Sequence, residues 1–418
     1  MLNKSSIISV IGLGYVGLPT ALVIANRGYT VIGVDTNDKV VSQINRGKVP
    51  LFEPDLDLTL KNTIKSYKFS VSSEPQPSDV FIISVPTPFK KNKVPDLKYL
   101  RKAVQSIAPV ISQNNLIILE STSPVGTTEK VRDWLARLRL DLNMPGTSKE
   151  PDIYIAHSPE RVLPGKVFKE LIENDRVIGG ITPECTGKAI SFYNSFVSGK
   201  CHATSAKTAE LIKLSENAFR DNNIAFANEI SMICESLNVD VWEVIELANM
   251  HPRVDILNPG PGVGGHCIAV DPWFIVDSAP HLTPLIQSAR KVNTNKSKTI
   301  IKKIRAKIRR ENIQNIGFLG LSYKANIDDL RESPSLQIAE TVSNKFDGKV
   351  FVCEPNIKQL PEGLKKNRNT ALVSLKKCID SSDLLVLLTD HKEFLDVPFE
   401  NLKGKKVIDT RGVWQFKG

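Results

Sequence analysis

One thiol and one carboxylate stand close together in a glycine-rich stretch near the middle of the chain. Residues 258–273 have the sequence NPGPGVGGHCIAVDPW, with Cys267 four residues before Asp271. The glycines and prolines disfavour a regular helix or strand, and glycine lets the main chain approach a ligand closely. A thiolate attacks carbonyl carbon readily when a nearby cation or helix N-terminus keeps it ionised. Cys267 is therefore a candidate nucleophile, although on this loop alone a small buried apolar cysteine is the simpler interpretation.

A polar stripe in the preceding segment contains a lysine that acyl chemistry at Cys267 would use. Residues 206–237 contain few helix breakers, which predicts one long helix or a pair of helices. Glu210, Lys213 and Asn217 then share a polar stripe on an otherwise apolar surface. A solvated stripe is the simpler interpretation of this helix alone. A lysine beside a thiol and an oxyanion, however, would stabilise the charge that forms when Cys267 attacks a carbonyl.

Residues 6–35 predict a strand–helix–strand unit that binds a dinucleotide. The first glycine of its GxGxxG motif allows a tight turn, the second lets the backbone approach a pyrophosphate, and the third lets helix and strand pack closely. Asp35 ends the second strand, where it would accept hydrogen bonds from ribose hydroxyls and repel a 2′-phosphate, which favours NAD over NADP. The candidate cofactor residues of the motif are Gly12, Gly14, Tyr15, Val16 and Gly17.

Polar residues follow three further predicted strands, at the sheet edge where ligands bind in this kind of fold. Thr87 and Thr122 would lie near the nicotinamide half of the cofactor. Either hydroxyl could cap a turn instead, and for Thr87 the two interpretations are equally good. Glu160 is a loop residue beside a proline, and its place just after a strand makes it a candidate functional carboxylate.

The C-terminal part of the chain repeats the opening plan without the GxGxxG motif. Four apolar strand-like runs between residues 315 and 411 predict a second, smaller α/β domain. Lys324 and Arg331 occupy the segments that replace the glycine loop and could clamp phosphates. Surface ion pairs with Asp328 and Asp329 are the alternative interpretation.

Length and composition restrict the class of protein. A chain of 418 residues is too long for one core, so two or three domains are expected. The chain has no apolar run that could cross a bilayer and no signal-peptide layout, which predicts a cytoplasmic protein without a membrane partner. Six scattered cysteines without metal-ligand spacing predict reduced thiols and no metal site. The net charge of +10 suits polyphosphate small molecules as well as nucleic acid, and no aromatic–basic cluster favours a nucleic-acid partner.

The motifs together resemble the nucleotide-sugar 6-dehydrogenase family over essentially the whole chain. They are GLGYVG, SVPTP, ESTSPVGTT, SPERV, AELIKLSENAFR, GPGVGGHCIAVDPW, GLSYKANIDDLRES and DTRG. The HPR segment at 251–253 and the residues around Cys267 are similar to the branch that acts on UDP-N-acetylmannosamine. UDP-N-acetylglucosamine dehydrogenases are similar in this region, so that sugar and UDP-glucose are the alternative substrates.

The resemblance implies a four-electron oxidation of the sugar C6 alcohol with two NAD per turnover. Cys267 would trap the intermediate aldehyde as a thiohemiacetal, and its oxidation would give a thioester. Water would hydrolyse the thioester to a uronate for surface polysaccharide synthesis. In this scheme Lys213 and Asn217 stabilise oxyanions, Lys213 also takes part in proton transfer, and Asp271 positions Lys213 and water.

The resemblance also implies roles outside residues 258–273, the cysteine loop. Thr122 would hold the water network, and Glu160 would assist hydrolysis of the thioester. A residue of the 251–253 segment would reach the neighbouring subunit's site, which implies a homodimer or higher homo-oligomer built on the long helix. Pro164 stands where UDP-glucose members carry a second carboxylate, so no role is assigned to it. The residues that resemble UDP-sugar contacts are Arg161, Val162, Lys213, Asn217, Arg220, His251, Arg253, Gly264, Tyr323, Lys324 and Arg331.

The predicted fold class is α/β, with two Rossmann-like doubly wound domains joined by a long central helical connector. Residues 1–202 would form the NAD-binding domain, residues 203–311 a helical region of dimerisation and catalysis with the cysteine loop, and residues 312–418 the UDP-sugar-binding domain. Other function classes stay open. An NAD or nucleotide sensor would not need the thiol, a two-electron dehydrogenase would stop at an aldehyde or ketone, and only net charge favours a nucleic-acid-binding protein.

Overall fold

The chain forms two compact units. The computed structural model describes residues 4–49, 56–66, 68–90, 93–162, 165–265 and 267–414. One unit consists of Met1–Ser215 with Trp273–Ser278, and the other consists of Glu216–Pro272 with Ala279–Gly418. Each unit has its own sheet, so the prediction of two doubly wound α/β folds is confirmed.

The first unit contains an eight-stranded sheet in the order β3-β2-β1-β4-β5-β6-β7-β8. Neighbouring strands are parallel except β6 and β7, which are antiparallel. The strands are β1 (Ile7–Ile11), β2 (Thr30–Val34), β3 (Phe69–Ser72), β4 (Val80–Ile83), β5 (Leu116–Leu119), β6 (Tyr154–His157), β7 (Arg176–Gly180) and β8 (Cys201–Ser205). The helices are α1 (Gly17–Asn26), α2 (Asp38–Asn45), α3 (Leu56–Lys65), α4 (Lys98–Ile107), α5 (Thr127–Leu138), α6 (Val167–Glu173) and α7 (Pro183–Tyr193).

The inner strands of this sheet form because their residues are apolar on both faces. β4 (VFII) and β5 (LIIL) are fully buried, as expected for a parallel sheet covered on both sides. Successive residues point to opposite faces, so Val80 and Ile82 pack in one hydrophobic cluster while Phe81 and Ile83 pack in another. This packing fixes the carboxyl ends of the strands, where the predicted site residues of the unit lie.

A single long helix follows the first sheet in the chain. α8 (Ala206–Leu237) has 32 residues, so of the two predicted possibilities the one long helix is confirmed. The boundary between the two units falls inside it, after Ser215. The helices that follow are α9 (Val241–Ala248), α10 (Asp271–Ser278) and α11 (Pro284–Glu311).

Within the second unit, a buried network of polar side chains joins α8 to α11. Asp221 Oδ1 accepts hydrogen bonds from Arg290 Nη1 at 2.6 Å and from Asn293 Nδ2 at 2.8 Å. Asn228 donates to Asn293 Oδ1 at 2.9 Å and accepts from the amide of Gly260 at 2.9 Å. All four side chains are buried, so the network fixes the start of the cysteine loop against the two helices.

The second unit contains a five-stranded parallel sheet in the order β11-β10-β9-β12-β13. Its strands are β9 (Asn315–Leu319), β10 (Lys349–Cys353), β11 (Thr370–Leu372), β12 (Leu384–Leu387) and β13 (Lys406–Asp409). Its further helices are α12 (Pro334–Ser343), α13 (Glu362–Lys365), α14 (Leu375–Ser381), α15 (Lys392–Leu395) and α16 (Phe399–Leu402). In the described part of the chain, no helix is long and apolar enough to cross a membrane.

Candidate active site

In the loop after β1, two glycines pack tightly against backbone atoms and a third faces open space. Gly12 has a φ of +95°, and a Cβ there would lie 2.5 Å from the carbonyl oxygen of Ser84. A Cβ at Gly17 would overlap the carbonyl oxygen of Gly12. A Cβ at Gly14, in contrast, would meet no described atom within 4 Å. This geometry suits the tight turn, the close helix packing and the open approach that a pyrophosphate needs.

Asp35 follows β2 and is held by two backbone amides. Its Oδ2 accepts from the amide of Leu13 at 3.0 Å, and its Oδ1 accepts from the amide of Asn37 at 2.9 Å. The side chain is half-buried, and each oxygen keeps a second lone pair for a ribose hydroxyl. Tyr15 and Val16, the other predicted cofactor residues of this loop, are half-buried just before α1.

The two predicted threonines lie together at the ends of β4 and β5. Thr87 Oγ1 donates a hydrogen bond to the carbonyl oxygen of Thr122 at 2.5 Å. Ser121 adds a second link between these strand ends. Its hydroxyl accepts a hydrogen bond from the amide of Val85 at 2.9 Å and donates one to the carbonyl oxygen of Val85 at 2.8 Å. The hydroxyl of Thr87 therefore has a structural partner, and its place near the nicotinamide half of the cofactor stays a prediction.

Glu160 belongs to a buried charged cluster that the sequence analysis missed. Its Oε2 lies 3.4 Å from Nη2 of Arg176, the first residue of β7, and Arg176 Nη1 lies 3.8 Å from Oε1 of Glu120. Burial and the charge of Glu160 raise the pKa of Glu120 to about 8, against the lowering effect of Arg176. The sequence does show one sign of this cluster, because Glu120 is an acid directly after the apolar run of β5. Arg176 is not recognisable in the same way, because an arginine at the start of a strand is more often exposed.

Glu210, the first residue of the polar stripe on α8, is buried. Glu210 accepts hydrogen bonds from the amide of Gly126 at 2.5 Å and from the amide and hydroxyl of Thr128 at 2.7 and 2.6 Å. Burial raises the pKa of its carboxyl group, and the hydrogen bonds to Thr128 and Gly126 oppose that effect. These amides belong to the first turn of α5, so Glu210 caps that helix. Lys213, about one turn further along α8, is half-buried.

The two glycines before residue 266 pack directly on Tyr323. Gly265 has a φ of +81° and donates its amide to the carbonyl oxygen of Arg331 at 3.1 Å. A Cβ at Gly265 would lie 2.8 Å from Tyr323 Cε2, and a Cβ at Gly264 would lie 2.7 Å from Tyr323 Cβ. The close approach of the two segments therefore requires glycine at both positions.

Cys267 lies just before the turn that leads into α10. Its carbonyl oxygen accepts the amides of Val270 at 2.9 Å and Asp271 at 2.8 Å. Cys267 itself is half-buried. On the facing segment, burial and the charges of Asp329 and Cys267 raise the pKa of Tyr323 to about 12, so this phenol keeps its proton.

Two predicted catalytic residues of the second unit are in direct contact. Asn217 Nδ2 donates a hydrogen bond to Asp271 Oδ2 at 2.5 Å. Asp271 is 3% exposed, and Asn217 is half-buried on α8. The amide donor of Asn217 is therefore fixed to a buried carboxylate, Asp271, that follows Cys267 by four residues in the chain.

Arg331 is paired with an acid, as the alternative interpretation of its sequence segment predicts. Its Nε donates to Asp329 Oδ1 at 2.9 Å and its Nη2 donates to Asp329 Oδ2 at 2.6 Å. Arg331 and Lys324 are both exposed. The Arg331 side chain is 62% exposed and that of Asp329 is 18% exposed, so the guanidinium stays accessible to a phosphate while it is paired.

A buried acid holds the loop after β9 in the second sheet. Glu354 Oε2 accepts the amides of Leu321 at 2.7 Å and Ser322 at 3.1 Å, and it lies 3.0 Å from His391 Nε2. Burial raises the pKa of Glu354, but the hydrogen bond and charge of His391, together with the amides of Leu321 and Asn356, outweigh this effect and lower it. The sequence analysis gave no role to His391, which carries no periodic or spacing signal.

The remaining predicted substrate contacts belong to both units. Arg161 and Val162 are half-buried after β6. Pro164 lies outside the described residues. The exposed members of the set are Arg220, His251 and Arg253.

Three family models match consecutive parts of the chain. All three describe the UDP-glucose/GDP-mannose dehydrogenase family. Its NAD binding domain matches residues 6–197, its central domain matches residues 207–295, and its UDP binding domain matches residues 317–416.

The chain is also similar to individual proteins over nearly its full length. NDP-N-acetyl-D-galactosaminuronic acid dehydrogenase of Ralstonia nicotianae is 52% identical, with 98% of this chain and 96% of the relative covered. UDP-N-acetyl-D-mannosamine dehydrogenase of Escherichia coli K12 is 49% identical, with 98% and 99% covered. The solved structure of UDP-D-ManNAc dehydrogenase from Pyrococcus horikoshii matches with a TM-score of 0.87 at 38% identity, covering 98% of this chain and 96% of that one.

Proposed function

Since the chain belongs to the UDP-glucose/GDP-mannose dehydrogenase family, we propose that it oxidises UDP-N-acetyl-D-mannosamine at C6 to the uronate. It is an NAD-dependent dehydrogenase of nucleotide sugars. The contact between Asn217 and Asp271, close in the chain to Cys267, is the observation that carries the four-electron reaction. A fixed amide donor and carboxylate suit oxyanion stabilisation and hydrolysis at a thiol, which neither a sensor nor a two-electron dehydrogenase needs.

The loop geometry of the first unit fits NAD. The backbone is open at Gly14, just before α1, whose N-terminal amides and dipole favour a pyrophosphate. Asp35 has lone pairs for the ribose hydroxyls, and its charge would repel a 2′-phosphate, so we expect a preference for NAD over NADP. When bound, NAD accepts the hydride that leaves the sugar carbon.

Cys267 would act as a covalent nucleophile between the two oxidations. Loss of a hydride and a proton from the C6 alcohol gives an aldehyde, and the thiolate adds to its carbonyl carbon to form a thiohemiacetal. Loss of a second hydride and a proton gives a thioester. Water then displaces the thiolate, and the product is a carboxylate. The half-buried position of Cys267 in the turn before α10 supports this role, because reactive cysteines are partly accessible.

The other catalytic roles follow from the charges of these steps. Lys213 and Asn217 would stabilise the oxyanions that form on C6, and Lys213 would also transfer a proton. Asp271, already bonded to Asn217, would position Lys213 and a water molecule. Thr122 would support the water network, and Glu160 would take a proton from the attacking water.

The second sheet would bind the UDP part of the substrate. Tyr323 can donate a hydrogen bond, and Lys324 and Arg331 are exposed cations that suit a diphosphate. Gly264 would keep the cysteine loop close to this segment. The further contacts that we propose are Arg161, Val162, Lys213, Asn217, Arg220, His251 and Arg253.

A homodimer or higher homo-oligomer built on α8 is part of this proposal. Phe219, Phe226 and Ile233 recur every seven residues on α8, and they are 71%, 51% and 46% exposed. An apolar stripe at this spacing is typical of a helix face that packs against another helix. Residues 1–202 would then bind NAD, residues 203–311 would carry dimerisation and the thiol, and residues 312–418 would bind the UDP-sugar. The uronate would supply surface polysaccharide synthesis from the cytoplasm.

The most detailed part of the proposal is the identity of the sugar. Relatives of similar identity are named for N-acetylmannosamine and for N-acetylgalactosaminuronic acid, which supports an N-acetylated sugar. The HPR segment and the cysteine loop favour the mannosamine epimer. UDP-N-acetylglucosamine and UDP-glucose are the alternatives.

Turnover of a panel of UDP-sugars with NAD tests the proposal. We expect the highest kcat/KM for UDP-N-acetylmannosamine, with two NADH and one uronate per sugar. Cys267→Ala should lower turnover on the order of 10³-fold or more, whereas Cys234→Ala, at a buried cysteine elsewhere in the second unit, should keep it. UDP-glucose as the best substrate would contradict the branch. One NADH per sugar, or near-normal uronate formation by Cys267→Ala, would contradict the thiol mechanism.

A further inference from the structure

In the first unit, one buried guanidinium stands between two carboxylates. Arg176 Nη1 lies 3.8 Å from Glu120 Oε1, and Arg176 Nη2 lies 3.4 Å from Glu160 Oε2. The side chain of Arg176 is 6% exposed, that of Glu120 is 0% exposed, and that of Glu160 is 9% exposed. Because one positive charge cannot neutralise two buried negative charges, the two acids compete for Arg176.

Neighbouring groups fix the orientation of this guanidinium. Arg176 Nη2 also donates to the carbonyl oxygen of Leu171 at 3.2 Å, and the ring of Tyr193 covers the guanidinium at 4.7 Å. Glu160 Oε1 accepts the amide of Arg161 at 2.5 Å, which leaves Oε2 toward Arg176. The carboxylate of Glu160 is therefore held from two sides.

Glu120 is the acid that carries a proton at neutral pH. Burial and the charge of Glu160 raise its pKa to about 8, against the lowering effects of Arg176, Thr20 and Tyr193. When Glu120 is protonated, Arg176 forms its ion pair with Glu160. The titratable and charged groups that face this pair from the surrounding elements are Glu120, Glu160, Arg176, Tyr193 and, on β8, Cys201.

We propose that Arg176 and Glu120 are positioning residues for Glu160 in the hydrolysis of the thioester, an inference that rests on the proposed function. In that step a proton of water passes to the Glu160 carboxylate while the water oxygen bonds to the thioester carbonyl carbon. The carbon–sulfur bond then breaks and the thiolate of Cys267 leaves. Arg176 holds the Glu160 carboxylate in one orientation. It can do so only while Glu120 is protonated, because an ionised Glu120 would attract the guanidinium away from Glu160.

Rapid mixing with UDP-sugar and NAD separates hydrolysis from the hydride transfers. For Arg176→Met we expect a normal burst of two NADH per active site, accumulation of a thioester seen by intact-protein mass spectrometry, and a kcat lowered on the order of 10²-fold. Because the slowed step follows both hydride transfers, KM should fall with kcat and kcat/KM for the sugar should stay nearly unchanged. Arg176→Lys keeps the charge without the planar fork and should recover part of the rate. The matched control is Arg139→Lys, because Arg139 is bonded to the exposed Asp141 in the same unit, and it should behave as wild type.

Glu120→Gln is the second test, because glutamine has the shape of the protonated acid. Wild-type hydrolysis should slow as the pH rises through about 8, since ionised Glu120 then draws the guanidinium from Glu160. In Glu120→Gln this fall should disappear. If the variant keeps the same high-pH fall, or if Arg176→Lys loses burst and steady-state rate in equal proportion, the inference is overturned. One NADH per sugar in the wild type would remove the proposed function instead.

Discussion

Replacement of Gly265 by alanine should strain the cysteine loop against Tyr323. The φ of +81° at this position disfavours any Cβ by about 1–2 kcal/mol. The new Cβ would also lie 2.8 Å from Tyr323 Cε2, an overlap that belongs to the range of about 1–3 kcal/mol for overpacked sites. The two effects together amount to about 2–5 kcal/mol.

This strain can be released in two ways, and both are measurable. If the loop stays in place, the free energy of unfolding should fall by about 2–5 kcal/mol in urea titrations. If the loop moves, stability should change little while the site shifts, and kcat/KM should fall by a factor between about 30 and several thousand. The loss of stability and the loss of transition-state binding should therefore sum to about 2–5 kcal/mol.

Two controls isolate the cause. Gly187→Ala, inside α7, places a Cβ that meets no described atom within 4 Å, and it should leave kcat/KM unchanged. In the background of Tyr323→Ala, the added effect of Gly265→Ala should shrink to the backbone part of about 1–2 kcal/mol. Wild-type kcat/KM together with wild-type stability in Gly265→Ala would refute the close approach of the two segments.

Two further predictions concern buried charges of the second unit. Arg290→Met leaves Asp221 buried without its cation and should lower the free energy of unfolding by about 3–5 kcal/mol, whereas Lys303→Met breaks an exposed pair and should change it by less than about 1 kcal/mol; equal losses in urea titrations would contradict this. The lowered pKa of Glu354 means that its stabilisation is present above the ordinary value of 4.5 and is lost as the pH falls through the folded-state value. Glu354→Gln should therefore melt below the wild type at neutral pH and converge with it in acid, and a constant difference in melting temperature across pH would exclude this role.

The inner strands and the dinucleotide loop are predictable because neighbouring residues in the sequence fix them. β4 and β5 are unbroken apolar runs, and the glycines after β1 stand where the backbone has no room for a side chain. The edge strands β8 (CHATS) and β11 (TAL) carry no such pattern, since all of their residues are partly or fully exposed. They form because a neighbouring strand offers its hydrogen-bonding edge, which is information from the tertiary structure.

The candidate site was predictable as a set of residue types but not as a set of contacts. Asn217 and Asp271 are each indicated by their position on a polar stripe or beside a thiol, but they are 54 residues apart in the chain and their hydrogen bond depends on how the loop folds back on α8. The pairing of Arg331 with Asp329 is local, and both of its interpretations are visible in the sequence. Local spacing therefore indicates candidates, and the packing of helices and loops decides which of them meet.

The position of Arg176 depends on the antiparallel pairing of β6 and β7. His157 lies opposite Gly179 in that pairing, and continuing the same register beyond the end of β6 brings Glu160 opposite Arg176. A parallel β7, as the doubly wound pattern predicts, would place its first residue at the other edge of the sheet, away from the strand ends where ligands bind. The guanidinium reaches Glu160 and Glu120 because this strand is reversed, and no apolar run or motif spacing encodes the reversal. The same departure from the parallel pattern that hides Arg176 from sequence analysis gives the proposed base its cation.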